Sequence, residues 1–331
     1  ISTYGEGDVY WVCVPTPSTD SGVNLDYIFD CMNKIQQHDP EALVIIKSTI
    51  PQSALKNIIA IYKDMHIGFS PEFLVQGAAY ANMKDTSRRY LALNGHHKHL
   101  PYIKELFCFE LIDINVACHI KTLANNLLAT RLQLINTYAL NVWKDVVLDG
   151  LPHLRLSPHE AHTIICQMLN KVGADLRIGT HYLDASIGYG GSCLNKDLQN
   201  SANALQCADY LDEIYGANNQ TLMAWYHHIA FYIREYNKEK EQPNESYQAV
   251  NKIDTIYLVG SGFSAITKDT RNSPTSQFKD LLADHFTVYI VDDLPLFIRP
   301  NELVINCRGV RKLPCGPRFI NLVFQAEGDY E

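Results

Sequence analysis

Short apolar runs alternate with amphipathic segments through the first third of the chain. The apolar runs lie at 8–14, 42–47 and 66–69, and a helical period is present near 25–37 and 52–64. Uninterrupted apolar runs are typical of strands buried on both faces of a parallel sheet, and their alternation with helices indicates βαβ units. We therefore predict an α/β domain with a parallel sheet over residues 1–115.

The pattern becomes helical after this domain. One long helix is predicted at 116–147, with an apolar side formed by Leu123, Leu127, Ala129, Leu132, Ile135 and Ala139. Helical periodicity dominates the rest of 116–236, which we predict to be a central helical domain. The charged, proline-broken stretch 237–252 indicates a linker. Strands return at 255–259 and 287–291, so residues 253–331 are predicted to form a second, smaller α/β domain.

Composition narrows the class of protein. The chain has 331 residues, 47% of them hydrophobic, which is enough for a large core divided among two or three domains. A net charge of −8 argues against nucleic-acid binding. Nine cysteines without a CxxC pair favour a reducing compartment, and we expect a cytoplasmic protein. Neither a long apolar run nor a signal peptide is found, so we expect no membrane association.

Three of the predicted strands end in polar loops. Thr16 lies between two prolines after the first strand, Ser48 and Thr49 follow the second, and Glu72 lies in the loop after the third. Ligands of open α/β sheets bind just outside the carboxyl ends of the strands. The grouping of these loops therefore predicts a ligand site at one edge of the first sheet.

A glycine-rich block surrounds one cysteine near the middle of the chain. The block reads Gly188-Tyr189-Gly190-Gly191-Ser192-Cys193, and Lys196 and Asp197 follow the cysteine by three and four residues. Glycines let a backbone approach a ligand closely. A thiol with a cation and a carboxylate in reach is suited to act as an activated nucleophile. A tight turn around a buried structural thiol is the alternative.

Lys121 and Asn125 lie four residues apart on the predicted long helix and so share one face. If both side chains face the protein interior, the lysine and the amide would stabilise an oxyanion or bind a sugar hydroxyl. Charged side chains on helices usually face water, however, so these two residues alone favour a solvated polar pair.

Two further patterns carry little weight. Gly260-Ser261-Gly262 follows a predicted strand, as in GxGxxG/A, but the next helix start is Ser273-Pro274, too far away to receive a pyrophosphate. We expect this segment to be a loop that presents Arg271. The histidines at 96, 97 and 99 and those at 227 and 228 lack a metal-ligand spacing, so no metal site is predicted.

Seven segments, in one order and spacing, extend through nearly the whole chain. They are Val14–Pro17, Lys47–Pro51, Ser70–Leu74, Lys121–Asn125, Arg177–Gly179, Tyr182–Asp197 and Thr267–Ser273. Together they resemble the UDP-glucose 6-dehydrogenases and related nucleotide-sugar dehydrogenases. The resemblance implies an α/β fold with an incomplete N-terminal Rossmann-like parallel sheet, a smaller C-terminal Rossmann-like domain that binds UDP, and a homodimer with the long helix at its interface.

The resemblance also implies the chemistry, a four-electron oxidation of UDP-glucose to UDP-glucuronate with NAD as acceptor. Cys193 would attack the aldehyde formed by the first oxidation, and the thiohemiacetal would be oxidised to a thioester that water releases. The catalytic residues implied in this way are Cys193, Lys121, Asn125, Asp197, Glu72 and Thr49.

The resemblance also implies a role for each of the other five catalytic residues. Lys121 and Asn125 would stabilise the oxyanion of the alkoxide and tetrahedral states. Asp197 would be the base of the first step, with Thr49 positioning a water. Glu72 would be the general acid/base of thioester hydrolysis.

The resemblance also implies binding residues for both small molecules. NAD would contact Val14, Thr16, Ser48, Thr49, Gln76, Lys196 and Arg271. The UDP-sugar would contact Glu72, Phe73, Leu74, Lys121, Asn125, Arg177, Tyr182, Ser186, Gly188 and Gly190.

The departures from the family pattern that bear on the domains lie at the two ends of the chain. Only 14 residues precede Pro15, whereas family members carry a GxGxxG strand–turn–helix roughly 60–80 residues before that position. The C-terminal domain is short after Asp293. We expect either a piece of a longer protein, without its N-terminal βαβ unit, or a protein that has lost NAD binding.

Three functions remain open on the sequence alone. The leading one is a UDP-glucose 6-dehydrogenase, and a dehydrogenase of another UDP-sugar, such as UDP-N-acetylmannosamine, is a close variant. The third is a pseudoenzyme that binds a UDP-sugar without turnover. The presence of the whole implied catalytic set argues against a pseudoenzyme, because a decayed site need keep none of it.

Overall fold

The computed structural model describes most of the chain in nine stretches. They are 9–19, 22–74, 78–150, 153–239, 252–262, 269–295, 297–307, 316 and 318–325. The predicted NAD contact Gln76, most of the predicted linker and part of the segment Thr267–Ser273 lie outside these residues.

Helices and strands alternate in the described residues much as the hydrophobic pattern predicts. The helices are α1 (Asp26–His38), α2 (Gln52–Ile61), α3 (Ala79–Lys84), α4 (Leu100–Phe107), α5 (Ala117–Trp143), α6 (Pro158–Gly173), α7 (Cys193–Ala204), α8 (Asp209–Glu239) and α9 (Pro274–Leu282). The strands are β1 (Val9–Val12), β2 (Ser18–Thr19), β3 (Gly22–Val23), β4 (Leu43–Ile46), β5 (His66–Phe69), β6 (Tyr90–Leu93), β7 (Glu110–Leu111), β8 (Thr255–Val259), β9 (Thr287–Val291), β10 (Glu302–Asn306) and β11 (Phe319–Asn321). A π-helical turn (Lys144–Leu148) follows α5 directly.

The chain forms two compact units, each made from two stretches of sequence. Unit 1 contains residues 1–127 and 196–212, and unit 2 contains residues 128–195 and 213–331. Helices α5, α7 and α8 each contribute residues to both units. This division differs in form from the predicted domains, which were continuous in sequence, and the domain boundaries predicted above stay predictions.

Unit 1 is built on a five-stranded sheet in the order β1-β4-β5-β6-β7. Its pairs are parallel except β5 with β6, which are antiparallel. Val12 pairs with Ile46, and Ile46 pairs with Phe69, so three neighbouring strands end in register. The loops that follow them therefore begin at the same edge of the sheet, as predicted.

The centre of unit 1 is β4, in which every residue is buried. Successive side chains of a strand point to opposite faces of its sheet. Val44 and Ile46 belong to an apolar cluster with α1 and α2, whereas Leu43 and Ile45 belong to another with α4. Helices thus cover both faces, which explains why this part of the sequence is an apolar run without polar alternation.

A buried glutamine joins α2 to the start of α5. Gln52 donates from Nε2 to the carbonyl of Ile114 at 2.8 Å and accepts from the backbone N–H of Cys118 at 3.2 Å. The first N–H groups of a helix have no partner within the helix. Gln52 satisfies one of them, and Tyr90 adds a hydrogen bond from its hydroxyl to the carbonyl of Ala117 at 2.5 Å.

Unit 2 contains a second sheet, in the order β11-β10-β8-β9, whose pairs are all parallel. The second, smaller α/β domain is therefore present in the described residues. Trp143 of α5, Trp225 of α8 and Phe324 are fully buried in its apolar core. Trp225 lies in contact with both other rings, at centroid distances of 5.4 and 6.2 Å.

The prediction of one apolar side for the long helix is wrong in part. Ala129, Ile135 and Ala139 are buried as predicted, but Leu123 and Leu127 are each more than half exposed. The helix therefore has a second apolar stripe that the described residues leave in contact with solvent. Hydrophobic periodicity could not separate the two stripes, because it counts a leucine or an alanine as apolar whether the residue is buried or exposed.

No helix among the described residues is both long and apolar enough to cross a bilayer. Within the same residues, no group of three or more His, Cys, Asp or Glu side chains is arranged to hold a metal ion. The eight cysteines that the structure describes are all free thiols.

Candidate active site

Two hydroxyl groups join the loops that follow β1 and β4 in unit 1. Thr16 donates from Oγ1 to the carbonyl of Thr49 at 2.9 Å, and Ser48 donates from Oγ to the carbonyl of Val14 at 2.6 Å. Both hydroxyls belong to buried residues. The structure thus brings together four of the residues predicted to contact NAD.

Glu72, in the loop after β5, is paired with a lysine from the loop after β4. Lys47 Nζ lies 2.6 Å from Glu72 Oε1 and also donates to Ser70 Oγ at 3.3 Å. Only 14% of the Lys47 side chain is exposed, against 51% of Glu72. Lys47 received no role from the sequence, although its place directly after a buried strand was a signal for one.

Two cations lie over the ring of Phe73, next along the same loop. Lys121 Nζ is 4.8 Å and the Arg88 guanidinium 4.4 Å from the ring centroid. Cation–π contacts at these distances hold the charges against the ring. Arg88 is a second residue to which the sequence assigned no role.

A cleft of about 440 Å³ opens beside this loop in unit 1. Its lining includes Glu72, Phe73 and the exposed Leu74 from the predicted substrate set, with Trp11 and Phe107 on the aromatic wall. The cleft is large enough for a small ligand.

A buried carboxylate lies on α7. Asp197 is 2% exposed; its Oδ2 accepts from Asn125 Nδ2 at 2.5 Å, and its Oδ1 lies 3.3 Å from Lys196 Nζ. Charge-assisted contacts of this kind compensate the desolvation of a buried charge. The interpretation of Lys121 and Asn125 as a solvated polar pair is therefore wrong for Asn125, which is buried. Lys121 is partly buried.

Thr49 and Asp197 line the same small cavity in unit 1, about 50 Å³ in volume. A space of this size holds one or two waters beside the hydroxyl and the carboxylate. The predicted pairing of Thr49 with a water and of Asp197 with proton transfer is compatible with this arrangement.

Cys193 belongs to unit 2 and is the first residue of α7. Its side chain is exposed, so the alternative of a buried structural thiol is wrong. The N-terminal end of a helix carries partial positive charge and favours an anion there. Ser192 Oγ lies 3.9 Å from the sulfur.

The glycine-rich loop before Cys193 is held by groups from several elements of unit 2. Ser186, Gly188 and Gly190 are all buried. Gly191 donates its N–H to the carbonyl of Arg271 at 3.1 Å, and Asn272 Nδ2 donates to the carbonyl of Gly191 at 3.4 Å.

Arg271 itself forms a bidentate ion pair with Asp269, at 3.0 Å from Nε to Oδ1 and 2.5 Å from Nη2 to Oδ2. The hydrogen bonds and the charge of Asp269 raise the pKa of the Arg271 guanidinium, and Cys193 contributes a smaller effect in the same direction. The structure therefore brings Arg271 near the cysteine loop within unit 2, and its predicted contact with NAD stays a prediction.

Arg177 and Tyr182 occupy a more exposed part of unit 2. The Arg177 side chain is 88% exposed, and its described hydrogen bonds go to Asp175. Tyr182 has a left-handed backbone with φ of +58°. Arg131 of α5 fixes the segment between them by donating to the carbonyls of Ile178 and Gly179.

The predicted site residues thus fall into two groups. Unit 1 holds the residues of the sheet edge with Lys121, Asn125, Lys196 and Asp197, and unit 2 holds Cys193 with Arg177, Tyr182, the glycine-rich loop and Arg271. Cys193 and Asp197 lie four residues apart on the one helix α7.

Two mostly parallel sheets covered by helices, the first with polar loops at the carboxyl ends of its strands, are typical of α/β proteins that bind nucleotides. Residues 2–107 match the family model of the UDP-glucose/GDP-mannose dehydrogenase NAD binding domain, and residues 161–220 match that of the same family's central domain. The chain belongs to the UDP-glucose/GDP-mannose dehydrogenase family.

Curated relatives agree with these matches. A UDP-glucose 6-dehydrogenase of Rickettsia felis is 28% identical over 300 residues, covering 83% of this chain and 58% of the relative. One of Bacillus subtilis is 27% identical over 301 residues, covering 84% of this chain and 60% of the relative. This chain therefore spans about 60% of the length of these relatives.

Solved structures share the fold. A UDP-D-ManNAc dehydrogenase from Pyrococcus horikoshii superposes with a TM-score of 0.73 at 18% identity, covering 95% of this chain and 81% of that one. A UDP-glucose dehydrogenase from Pyrobaculum islandicum superposes with a TM-score of 0.66 at 18% identity, covering 96% and 77%. The fold class predicted from the sequence is confirmed.

Proposed function

We propose that this chain carries the NAD-dependent oxidation of UDP-glucose to UDP-glucuronate, with Cys193 as the covalent nucleophile. The observation that carries the proposal is the exposed thiol at the first residue of α7, directly after a loop that unit 2 holds by hydrogen bonds. Family membership and the names of the curated relatives support the choice of a nucleotide-sugar substrate.

The proposed reaction passes through two covalent intermediates on Cys193, a thiohemiacetal and a thioester. The C6 alcohol loses a hydride and a proton to give an aldehyde. The Cys193 sulfur adds to the aldehyde carbon as a thiohemiacetal, which loses a second hydride and proton to become a thioester. Water then displaces the thiol and leaves the carboxylate. Splitting one difficult oxidation in this way is the general benefit of a covalent nucleophile.

The loops at the sheet edge suit the cofactor that this family's first domain binds. Thr16, Ser48 and Thr49 offer hydroxyl and backbone groups, which are the donors and acceptors that a ribose and a pyrophosphate require. Two NAD molecules, bound there one after the other, would each accept one hydride. The resemblance implies further NAD contacts at Lys196 and Arg271.

Asp197 is our proposed base for the first oxidation. It is buried and hydrogen-bonded by Asn125, and it lines a cavity with Thr49 that accommodates a water. A water held between that hydroxyl and the carboxylate would carry the alcohol proton away. Asn125 and Lys121 would stabilise the oxyanion that forms when the thiol adds.

Glu72 is our proposed general acid/base for thioester hydrolysis. Its carboxylate is half exposed and held at one oxygen by Lys47, which leaves the other oxygen accessible to water. Phe73 and Leu74, its neighbours in the cleft, would contact the sugar nucleotide.

The test is the yield of NADH when the chain is mixed with UDP-glucose and NAD. We expect two NADH per UDP-glucose from the unaltered chain. Cys193→Ala should form no NADH from the second oxidation. UDP-N-acetylmannosamine serves as the competing substrate, since a faster reaction with it would change the assigned sugar. Absence of NADH with either sugar, from protein shown to be folded, would reject the proposed function for this chain.

A further inference from the structure

A buried asparagine of α8 holds the loop that carries the nucleophile, and no sequence pattern singled it out. Asn218 lies on α8 and is only 8% exposed. Its Oδ1 accepts from the backbone N–H of Tyr189 and its Nδ2 donates to the carbonyl of the same residue, both at 2.9 Å. One side-chain amide thereby satisfies both backbone groups of a single buried residue, as a neighbouring strand would.

The loop is shaped to fit this amide. Gly188 has a φ of +154°, and a Cβ at this position would lie 3.1 Å from Asn218 Oδ1. Only glycine adopts such a backbone without strain and leaves room for the amide. Ser186 closes the turn by donating from Oγ to the carbonyl of Gly188 at 2.8 Å.

The other contacts of the loop come from different elements. Ala185 pairs with Phe324, with N–H to carbonyl distances of 2.8 and 2.9 Å, and the N–H of Ser186 is accepted by Asn136 of α5 at 2.8 Å. Gly191 is bonded to the segment before α9. Asn218 attaches the middle of the loop at Tyr189, which lies four residues before Cys193. No other hydrogen bond described for Tyr189 holds its backbone.

We infer that Asn218 is a positioning residue for Cys193: it fixes the backbone at Tyr189 and thereby the point at which α7 and its nucleophile begin. The inference rests on the proposed function for its effect on the reaction. Precise placement matters because a displacement of about 1 Å of a reacting group costs on the order of 100-fold in rate.

The experiment compares Asn218→Ala with Asn219→Ala, its exposed neighbour on α8. Amide hydrogen exchange measures the loop without substrate. We expect exchange in the peptide that spans 186–196 to be at least ten-fold faster in Asn218→Ala and unchanged in Asn219→Ala. The two NADH steps are then separated in a single turnover, with hydroxylamine to trap free aldehyde.

The second hydride requires Cys193, whereas the first does not. We therefore expect Asn218→Ala to approach one NADH per UDP-glucose with trapped aldehyde. A general loss of structure would lower both hydride steps alike, and that result would overturn the inference, as would unchanged hydrogen exchange. If the unaltered chain makes no NADH, the proposed function fails, while the exchange result still decides whether Asn218 holds the loop.

A second variant protects the test against misfolding of the first. Gly188→Ala disrupts the same contact from the loop side. The added Cβ would lie too close to Asn218 Oδ1, and the φ at this position would be strained for alanine. We expect the same loss of the second hydride. Asn218→Asp keeps the acceptor for the Tyr189 N–H and should retain more of the second hydride than Asn218→Ala.

Discussion

At the scale of single residues, two buried polar contacts, one in each unit, join residues from distant parts of the chain. Asp197 bonds to Asn125, 72 positions away, and Asn218 bonds to Tyr189, 29 positions away. A buried polar group without a partner costs about 1–3 kcal/mol. These pairs therefore constrain which residues fit at each position.

Replacement of Glu72 tests its role in thioester hydrolysis. In Glu72→Gln the amide cannot accept a proton from water, so we expect a burst of NADH followed by turnover about 100-fold slower or more. Intact-protein mass spectrometry should show the acyl group on Cys193. Glu105→Gln, an exposed carboxylate of the same unit, should show neither effect. Normal turnover in Glu72→Gln would exclude Glu72 as the acid/base.

His97 makes the stability of unit 1 depend on pH. Burial lowers the pKa of its imidazole, and His66 and His99, at centroid distances of 4.7 and 5.2 Å, lower it further together with Lys98. The backbone of Glu41 opposes this with a hydrogen bond. The unfolded chain therefore binds the proton more readily than the folded one.

The sign of the pH effect follows from that difference. The contribution of neutral His97 is complete above the unfolded pKa of about 6.5, and it is lost as the pH falls below that value. Urea denaturation at several pH values should show this loss. We expect His97→Gln to flatten the acid slope and the exposed His96→Gln to leave it unchanged. An equal slope in all three proteins would contradict the assignment.

At the scale of elements, local sequence explains where helix α6 begins. Helix α6 starts with a capping box, in which the Ser157 hydroxyl accepts from the N–H of Glu160 and the Glu160 carboxylate accepts from the N–H of Ser157. Proline follows at the first helical position, where no N–H is needed. The serine, proline and glutamate are readable from sequence alone.

Removal of this cap should destabilise the protein measurably. We expect Ser157→Ala to lower the free energy of unfolding by about 1 kcal/mol, because an N–H at the helix start loses its acceptor. Chemical denaturation followed by circular dichroism would measure it. Ser157→Asn supplies another capping side chain and should cost much less. Equal losses in both variants would show that the cap itself contributes little.

At the scale of the whole molecule, the exposed stripe on α5 bears on assembly. Four apolar side chains of this stripe are each more than half exposed: Leu123, Leu127, Leu134 and Tyr138. Their spacing follows the period of an α-helix, so they lie along one side of α5. Exposed apolar groups in a row on one helix are typical of an interface. We propose that a second copy of the chain covers them, as the resemblance to a dimeric family implied.

The proposed dimer can be tested by mass in solution. Leu127→Asp places a charge in the stripe, and we expect it to convert a dimer to a monomer in light scattering at micromolar concentration, since burial of an unpaired carboxylate is costly. Ile61→Asp changes an equally exposed residue on α2 and should leave the dimer intact. A monomeric mass for the unaltered chain would refute the proposal.

Much of the fold was open to prediction because its signals are local. The strands at Val9–Val12, Leu43–Ile46 and His66–Phe69 are apolar runs, and Pro274 after Ser273 predicts the start of α9. The antiparallel pairing of β6 with β5 was not predicted. Strand direction depends on the path that the chain takes between strands and not on the residues within a strand. The same limit applies to the two faces of α5.

By itself, the sequence determined the alternation of strands and helices, the polar loops at the strand ends and the cysteine after its glycines, because hydrophobic period and backbone freedom depend on neighbouring residues. Only the tertiary structure decided that Asn125 is buried against Asp197, that Lys47 holds Glu72, and that Asn218 holds Tyr189. Each of these contacts joins residues that are far apart in sequence. Burial and hydrogen bonding between them arise only when the elements pack, and no local pattern records which partner each side chain meets.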